Sequence, residues 1–185
     1  MLNNRENTIS AYITNLGKYN EGELVGKWVS FPISQEEQAE IFEEIGISEE
    51  PDENGQIYEE YFMSDYEITV PGLRWDDLGE YASIETLNEY AEAFEELDQS
   101  DADLVGAILE AGYYSNILDA IENKDNYYLI DVDNDYDLGY YWIEESGCYN
   151  TAELGALSSY IDYERFGRDC SFDGSWTSYG FLQGC

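Results

Sequence analysis

Apolar positions recur along this chain at two spacings, and the spacing changes with position. Ile9, Ala11 and Ile13 alternate with polar residues, and Trp28-Val29-Ser30-Phe31 forms a second short run before Pro32. Two strands are predicted there, within residues 8 to 33. Asn15 to Gly26, between them, holds three glycines and two asparagines and reads as an ordered loop. Ala39, Ile41, Phe42 and Ile45 then fall on one helical stripe over Gln35 to Ile45. Ser34 supplies the N-cap, Glu36 and Glu37 the acidic first turn, and Gly46 the stop. Tyr58, Tyr61, Met63, Tyr66 and Ile68 predict one or two further strands, closed by Pro71-Gly72.

From residue 73 to 124 the repeat is helical. Ile84, Leu87, Tyr90, Ala91, Phe94 and Leu97 follow a Ser83 cap. A second helix is predicted from Ser100 through Val105 and Ile108 to Gly112, and a third short one from Ser115 through Ile121. Tyr127 to Leu138 reads as a strand, with Asp131, Asp133, Asp135 and Asp137 alternating onto one face. Gly139 to Asp169 is the most compact apolar unit and the expected structural hub. Tyr140, Tyr141, Trp142 and Ile143 open it, and Leu154, Leu157 and Ile161 sit at i, i+3 and i+7, one helix face. Arg165 and Arg168 close it, and the aromatic, Gly-rich tail from Asp169 to Cys185 predicts a terminal hairpin.

Charge changes the picture. The 185 residues carry 42 Asp plus Glu against 7 Lys plus Arg, with no His, for a net charge of -35. Such a balance accompanies disorder when apolar residues are scarce. Here 43% of residues are hydrophobic and 16% aromatic, enough to build a core. Self-repulsion at this charge is smallest in a long shape. The expected fold is therefore α+β, an elongated chain of three small domains. These are an α+β domain over 1–72, a helical one over 73–124 and an α+β one over 125–185 with the dimer interface. The N-terminal stretch lacks the apolar run of a signal peptide, and no segment has the length of a membrane span. Cys148, Cys170 and Cys185 have no His partners or metal-ligand spacing, and read as reduced cytoplasmic thiols.

Catalysis is not indicated: no G-x-S-x-G occurs, and the carboxylates are too abundant for one pair to stand out. The Gly-rich loop after the first strand lacks both phosphate-binding patterns, and Glu21 and Glu23 would repel a phosphate. Asp133, Asp135, Asp137 and Glu144 fall at positions 1, 3, 5 and 12 of a calcium loop, although Leu138 stands where that loop needs Gly. An acidic calcium-binding module is thus the alternative reading. The first reading is that the charge itself is the function. At one charge per about 1.7 Å of duplex, 42 carboxylates match roughly 70 Å of DNA. The surface expected to do this comprises Glu36, Glu37, Glu40, Glu43, Glu44, Asp76, Asp77, Glu85, Glu89, Glu92 and Glu96, with Asp131, Asp133, Asp135 and Asp137. Glu85, Glu89, Glu92 and Glu96 line one helix face with no interleaved lysine.

Two segments also carry a resemblance. NLGKYNEGELVGKWVSFPI (15–33) and IEESGCYNTAELGALSSYIDYERFGRD (143–169) are similar to signature regions of the ArdA-type antirestriction proteins. The residues that carry it are Leu16, Gly17, Lys18, Tyr19, Asn20, Gly22 and Gly26 in the first segment. In the second they are Glu144, Glu145, Gly147, Tyr160, Asp162, Tyr163, Gly167, Arg168 and Asp169. A weaker match runs through EEYFMSDYE (59–67), so nearly the whole chain is covered. An N-terminal extension, an insertion around Pro51 to Gln56 and the Gly184-Cys185 ending depart from the family pattern. The resemblance implies a cytoplasmic DNA mimic, carried by mobile elements in a bacterial host. It implies inhibition of type I restriction-modification enzymes by occupying the DNA groove of their methyltransferase core. It also implies a homodimer formed through the C-terminal domain, with no cofactor, no metal and no direct nucleic-acid binding.

Overall fold

Strand β1 (Ile9–Asn15) lies between β2 (Gly26–Phe31) and β3 (Tyr61–Ile68), antiparallel to both. The alternation that predicts β1 also orients it, because Ile9, Ala11 and Ile13 are fully buried with Val29, Phe31 and Met63. This computed structural model describes residues 9–185; residues 1–8, part of the stretch read above for a leader, lie outside the described residues. The chain gathers into two compact units, Met1–Asp98 and Gln99–Cys185. Both mix helices with a small three-stranded sheet. Among the described residues, no helix is long and apolar enough to cross a membrane.

The segment from 15 to 26 is not a loop throughout, because a short helix α1 (Leu16–Asn20) opens it. Asn15 makes that turn. Its Oδ1 accepts from the Lys18 amide, while its Nδ2 donates to the carbonyls of Ile45 and Gly46. One buried side chain thereby joins the end of β1, the start of α1 and the end of α2 (Gln35–Ile45). Helix α2 forms as predicted, with a full capping box between Ser34 and Glu37 and Gly46 in the left-handed region at its end. After β3 comes α3 (Trp75–Leu78), then α4 (Ile84–Glu95), capped by Ser83 and buried through Ile84, Leu87, Ala91 and Phe94. Asn88 fixes α4 to the exit of β2: its Oδ1 accepts from the Ile33 amide at 2.8 Å and its Nδ2 donates to the Ile33 carbonyl at 2.9 Å.

In the second unit, α5 (Gln99–Glu110) is fully buried along Ala102, Val105, Ala107 and Ile108. Helix α6 (Ile117–Glu122) is capped by Asn116, not Ser115, since the Asn116 side chain accepts from the amides of Leu118 and Asp119. Strands β4 (Tyr127–Ile130), β5 (Gly174–Thr177) and β6 (Gly180–Gly184) form an antiparallel sheet in the order β4-β6-β5, so the terminal hairpin is present. Ile130, Leu138 and Phe181 centre its core.

Two expectations fail here. The predicted strand over 127–138 ends at Ile130, and α7 (Asp135–Tyr140) begins five residues later. Asn134 wins locally: its side chain accepts from the Asp137 amide and caps the helix, so the four aspartates do not share a strand face. The Leu154-Leu157-Ile161 stripe is not one helix face either. Thr151–Tyr160 is a pair of 3-10 turns broken at Gly155 (φ 53°, ψ -127°), and it buries no residue. The hub is real only at its two ends, where α7 crosses α8 (Tyr163–Cys170) with Gly139 and Gly167 at the contact.

Candidate functional site

The packing of α2 and α4 dictates which of their residues meet water. Ile41 and Ile45 turn inward on α2, and all of Glu36, Glu37, Glu40, Glu43 and Glu44 are exposed. On α4 the buried stripe sends Glu85, Glu89, Glu92 and Glu96 outward together, about 5–6 Å apart along the face. A groove of about 600 Å³ runs between the two helices. Glu85, Glu89 and Glu92 wall one side, and Gln35 and Gln38 of α2 the other. No basic residue stands in the last turn of α2, α4 or α5. The chain has none at all between Arg74 and Lys124.

Other predicted surface carboxylates are engaged within the chain. Glu44 pairs with Lys27, Asp77 with Arg74 at 3.6 Å, and the half-buried Asp135 with Arg168 at 3.5 Å. Such pairs lie in water and contribute about 0–1 kcal/mol each. Glu37 accepts from the Ser34 amide and hydroxyl, and the amide above all holds its carboxyl below the ordinary glutamate range. Asp76 is exposed beside Asp77 in α3, and Asp131 and Asp133 are exposed in the bend between β4 and α7. The structure brings the α4 glutamates together, and does not align the aspartates of 131–137.

The twelve-residue calcium loop is not formed. Asp135 and Asp137 occupy the first turn of α7, with Asp137 accepting from the Asn134 side-chain amide at 2.7 Å. Glu144 sits beyond α7 in a π turn (Tyr141–Glu145), accepting from Tyr163 at 2.7 Å and Thr151 at 3.0 Å. That carboxylate, more than partial burial, pushes the Tyr163 hydroxyl up to about 12.

The signature residues mostly build scaffold. Gly17 leaves room for the Tyr58 ring, over which the Lys18 ammonium lies 4.4 Å from the centroid. Tyr19 meets Phe62 edge to face, Asn20 ends α1, and Gly22 takes a φ of 89°. Leu16 donates its amide to Glu60, and Gly26 lies under the Tyr12 ring. Asp162 caps α8 through the Arg165 amide, while Arg168 bonds Glu164 at 3.0 Å. Glu145 is exposed, Gly147 has a φ of 75°, and Asp169 is exposed at the end of α8. Tyr160 differs: it is 83% exposed, in the same 3-10 segment as the exposed Leu154 and Leu157. A cavity of about 240 Å³ next to Leu154 is lined by Ile143, Tyr149, Leu154, Ile161 and Phe166. Of the aromatic residues that open the expected hub, Tyr140 is exposed and Tyr141 and Trp142 are half-buried.

Sequence reasoning missed Asn15 and Asn88, the two side chains that lock the acidic helices in place. The first carried a signal, a polar residue directly after an apolar alternation; the second lies within a helix and carried none. In comparison with known families, a family model described as antirestriction protein (ArdA) matches residues 11–183. No curated protein matches the chain.

Proposed function

The chain belongs to the ArdA family of antirestriction proteins, and on that premise we propose that it acts as a DNA mimic. In this reading it occupies the DNA-binding groove of a type I restriction-modification enzyme, at the methyltransferase core, and performs no catalysis. The observation that carries the proposal is the exposed glutamate face of α4, with no cation among or near it in sequence. Lysines and arginines that neutralise DNA phosphates meet a comparable row of anions on a rigid, capped helix. Association is then steered by charge and weakened by salt. The protein would work in the bacterial cytoplasm, in the form encoded by a mobile element.

Binding to a purified methyltransferase core across a salt series, with duplex DNA as competitor, tests this. Mutually exclusive binding and a steep loss of affinity with salt are expected. Simultaneous binding of DNA and this protein to one core would defeat the proposal.

Dimerisation through the C-terminal segment belongs to the same proposal. Two chains at -35 repel, so association needs apolar contact, and Leu154, Leu157 and Tyr160 offer it at 44%, 66% and 83% exposure. A two-fold pair uses that patch twice and extends the acidic surface. Sedimentation should show a dimer that tightens with moderate salt as repulsion is screened. A strict monomer at tens of micromolar would sink it. The three-segment division at 72/73 and 124/125 is likewise proposed, with limited proteolysis at those two points as its check.

A further inference from the structure

The sheet of the first unit has one packed face and one open face. On the open face Tyr12 of β1 stands opposite Trp28 of β2 on one side and Asp65 of β3 on the other, and Glu67 stands opposite Ser10 one pair along. Directly opposed side chains in such a ladder have Cβ atoms about 4.5–5.5 Å apart. The two rings meet edge to face, with centroids 5.6 Å apart at 66°. Trp28 remains 47% exposed although its neighbours Val29 and Phe31 are buried.

The pair is held in place. A Cβ at Gly26 would lie 2.6 Å from Tyr12 Cε1, so the Tyr12 ring occupies space that only glycine leaves free. The adjacent cation, Lys27, turns to the other side and pairs with Glu44 of α2. Among the described residues, neither Asp65 nor Glu67 forms an ion pair; Asp65 accepts from the following amide, of Tyr66, at 2.9 Å.

We propose that this open face seats an arginine side chain from a basic partner segment, with its guanidinium against Trp28 and Tyr12 and its N–H groups toward Asp65 and Glu67. The proposal rests on the reading of this protein as a ligand for a basic groove, and names a contact within it. An aromatic face attracts a cation through its quadrupole. Arginine suits it better than lysine because the guanidinium is planar, weakly hydrated and able to stack while donating in plane. Nucleotides do not fit, since the two carboxylates would repel a phosphate.

The experiment compares an arginine octapeptide with a lysine octapeptide of equal charge, by calorimetry on the full chain. The general acidic field attracts both, so the ratio of the two affinities isolates the stacking contribution. An arginine preference of about threefold or more is expected for the wild type. W28A should abolish the preference, weakening the arginine peptide more than the lysine peptide. D65N/E67Q, which alters only exposed groups, should weaken the arginine peptide more than the lysine peptide. Equal affinities in the wild type, or a ratio unchanged by W28A in a protein with an unaltered circular dichroism spectrum, would overturn the proposal. Failure of the wild type to compete with DNA on a methyltransferase core would instead defeat the mimic reading, without touching the peptide ratio.

Discussion

Gly139 and Gly167 meet backbone to backbone where α7 crosses α8. A Cβ on Gly139 would lie 2.8 Å from the Gly167 nitrogen, and one on Gly167 would lie 2.7 Å from the Gly139 nitrogen. The carbonyls of Tyr163 and Asp135 crowd the same two points still more closely. Backbone cannot retreat as a flexible side chain can, so the helices can approach this far only without side chains at the contact.

G167A should therefore destabilise the second unit by about 3 kcal/mol, the upper end of ordinary overpacking. Urea unfolding followed by far-ultraviolet circular dichroism measures it. A loss below half a kcal/mol would mean that the crossing adjusts freely.

The Ser34–Glu37 capping box gives a prediction with a pH signature. Removing the hydroxyl in S34A should cost about 1 kcal/mol at neutral pH, as N-cap losses generally do. Glu37 has a folded value below its ordinary one. Its contribution is thus present above the ordinary glutamate range and is lost as pH falls through the depressed value. The difference between wild type and S34A should shrink as the pH is lowered through that window. A difference constant down to pH 3 would show that the Ser34 hydroxyl takes no part in holding the Glu37 carboxylate.

Tyr163 tests the opposite sign. Its hydroxyl donates to Glu144 and is pushed up to about 12. The contact holds fully below the ordinary tyrosine value near 10 and is lost as pH rises through about 12. In E144Q the tyrosine should titrate earlier. Absorbance at 295 nm, with Y163F subtracted to isolate this ring, reads the change, and identical curves for wild type and E144Q would refute the assignment.

The acidic face should behave as a field. Under the proposed function, E89Q or D133N alone should leave inhibition of a type I enzyme within about fivefold, because an exposed pair contributes about 0–1 kcal/mol. E85Q/E89Q/E92Q/E96Q together should weaken inhibition and flatten its salt dependence. Complete loss from one such change in a folded protein would indicate a discrete site.

How far the sequence exposed this structure depends on which force decided each segment. Helices α2 and α4 were legible because burial stripe and N-cap agreed, from Ser34 in one, where Gly46 also supplied the stop, and from Ser83 in the other. Alternation misled over 131–137, where a period of two coincided with a helix start and the Asn134 cap settled the outcome. Spacing misled again over 151–161, because Gly155 breaks the chain between residues whose intervals look helical. The acidic surface was legible as composition. Its partition was not, since pairing Glu44 with Lys27 or Asp135 with Arg168 depends on contacts 17 and 33 residues apart in sequence.

The bare final turns of α4 and α5 have a consequence for how durable the negative surface is. Aligned peptide dipoles leave about half an elementary negative charge at the carbonyl end of a helix, and no lysine or arginine offsets it in either last turn. Carboxylates surrender their charge to acid, but carbonyl dipoles do not titrate. A phosphodiester likewise keeps its sign in mild acid. Part of the negative potential that the proposed mimicry requires is thereby written into main-chain geometry, and it would outlast the protonation of every glutamate around it.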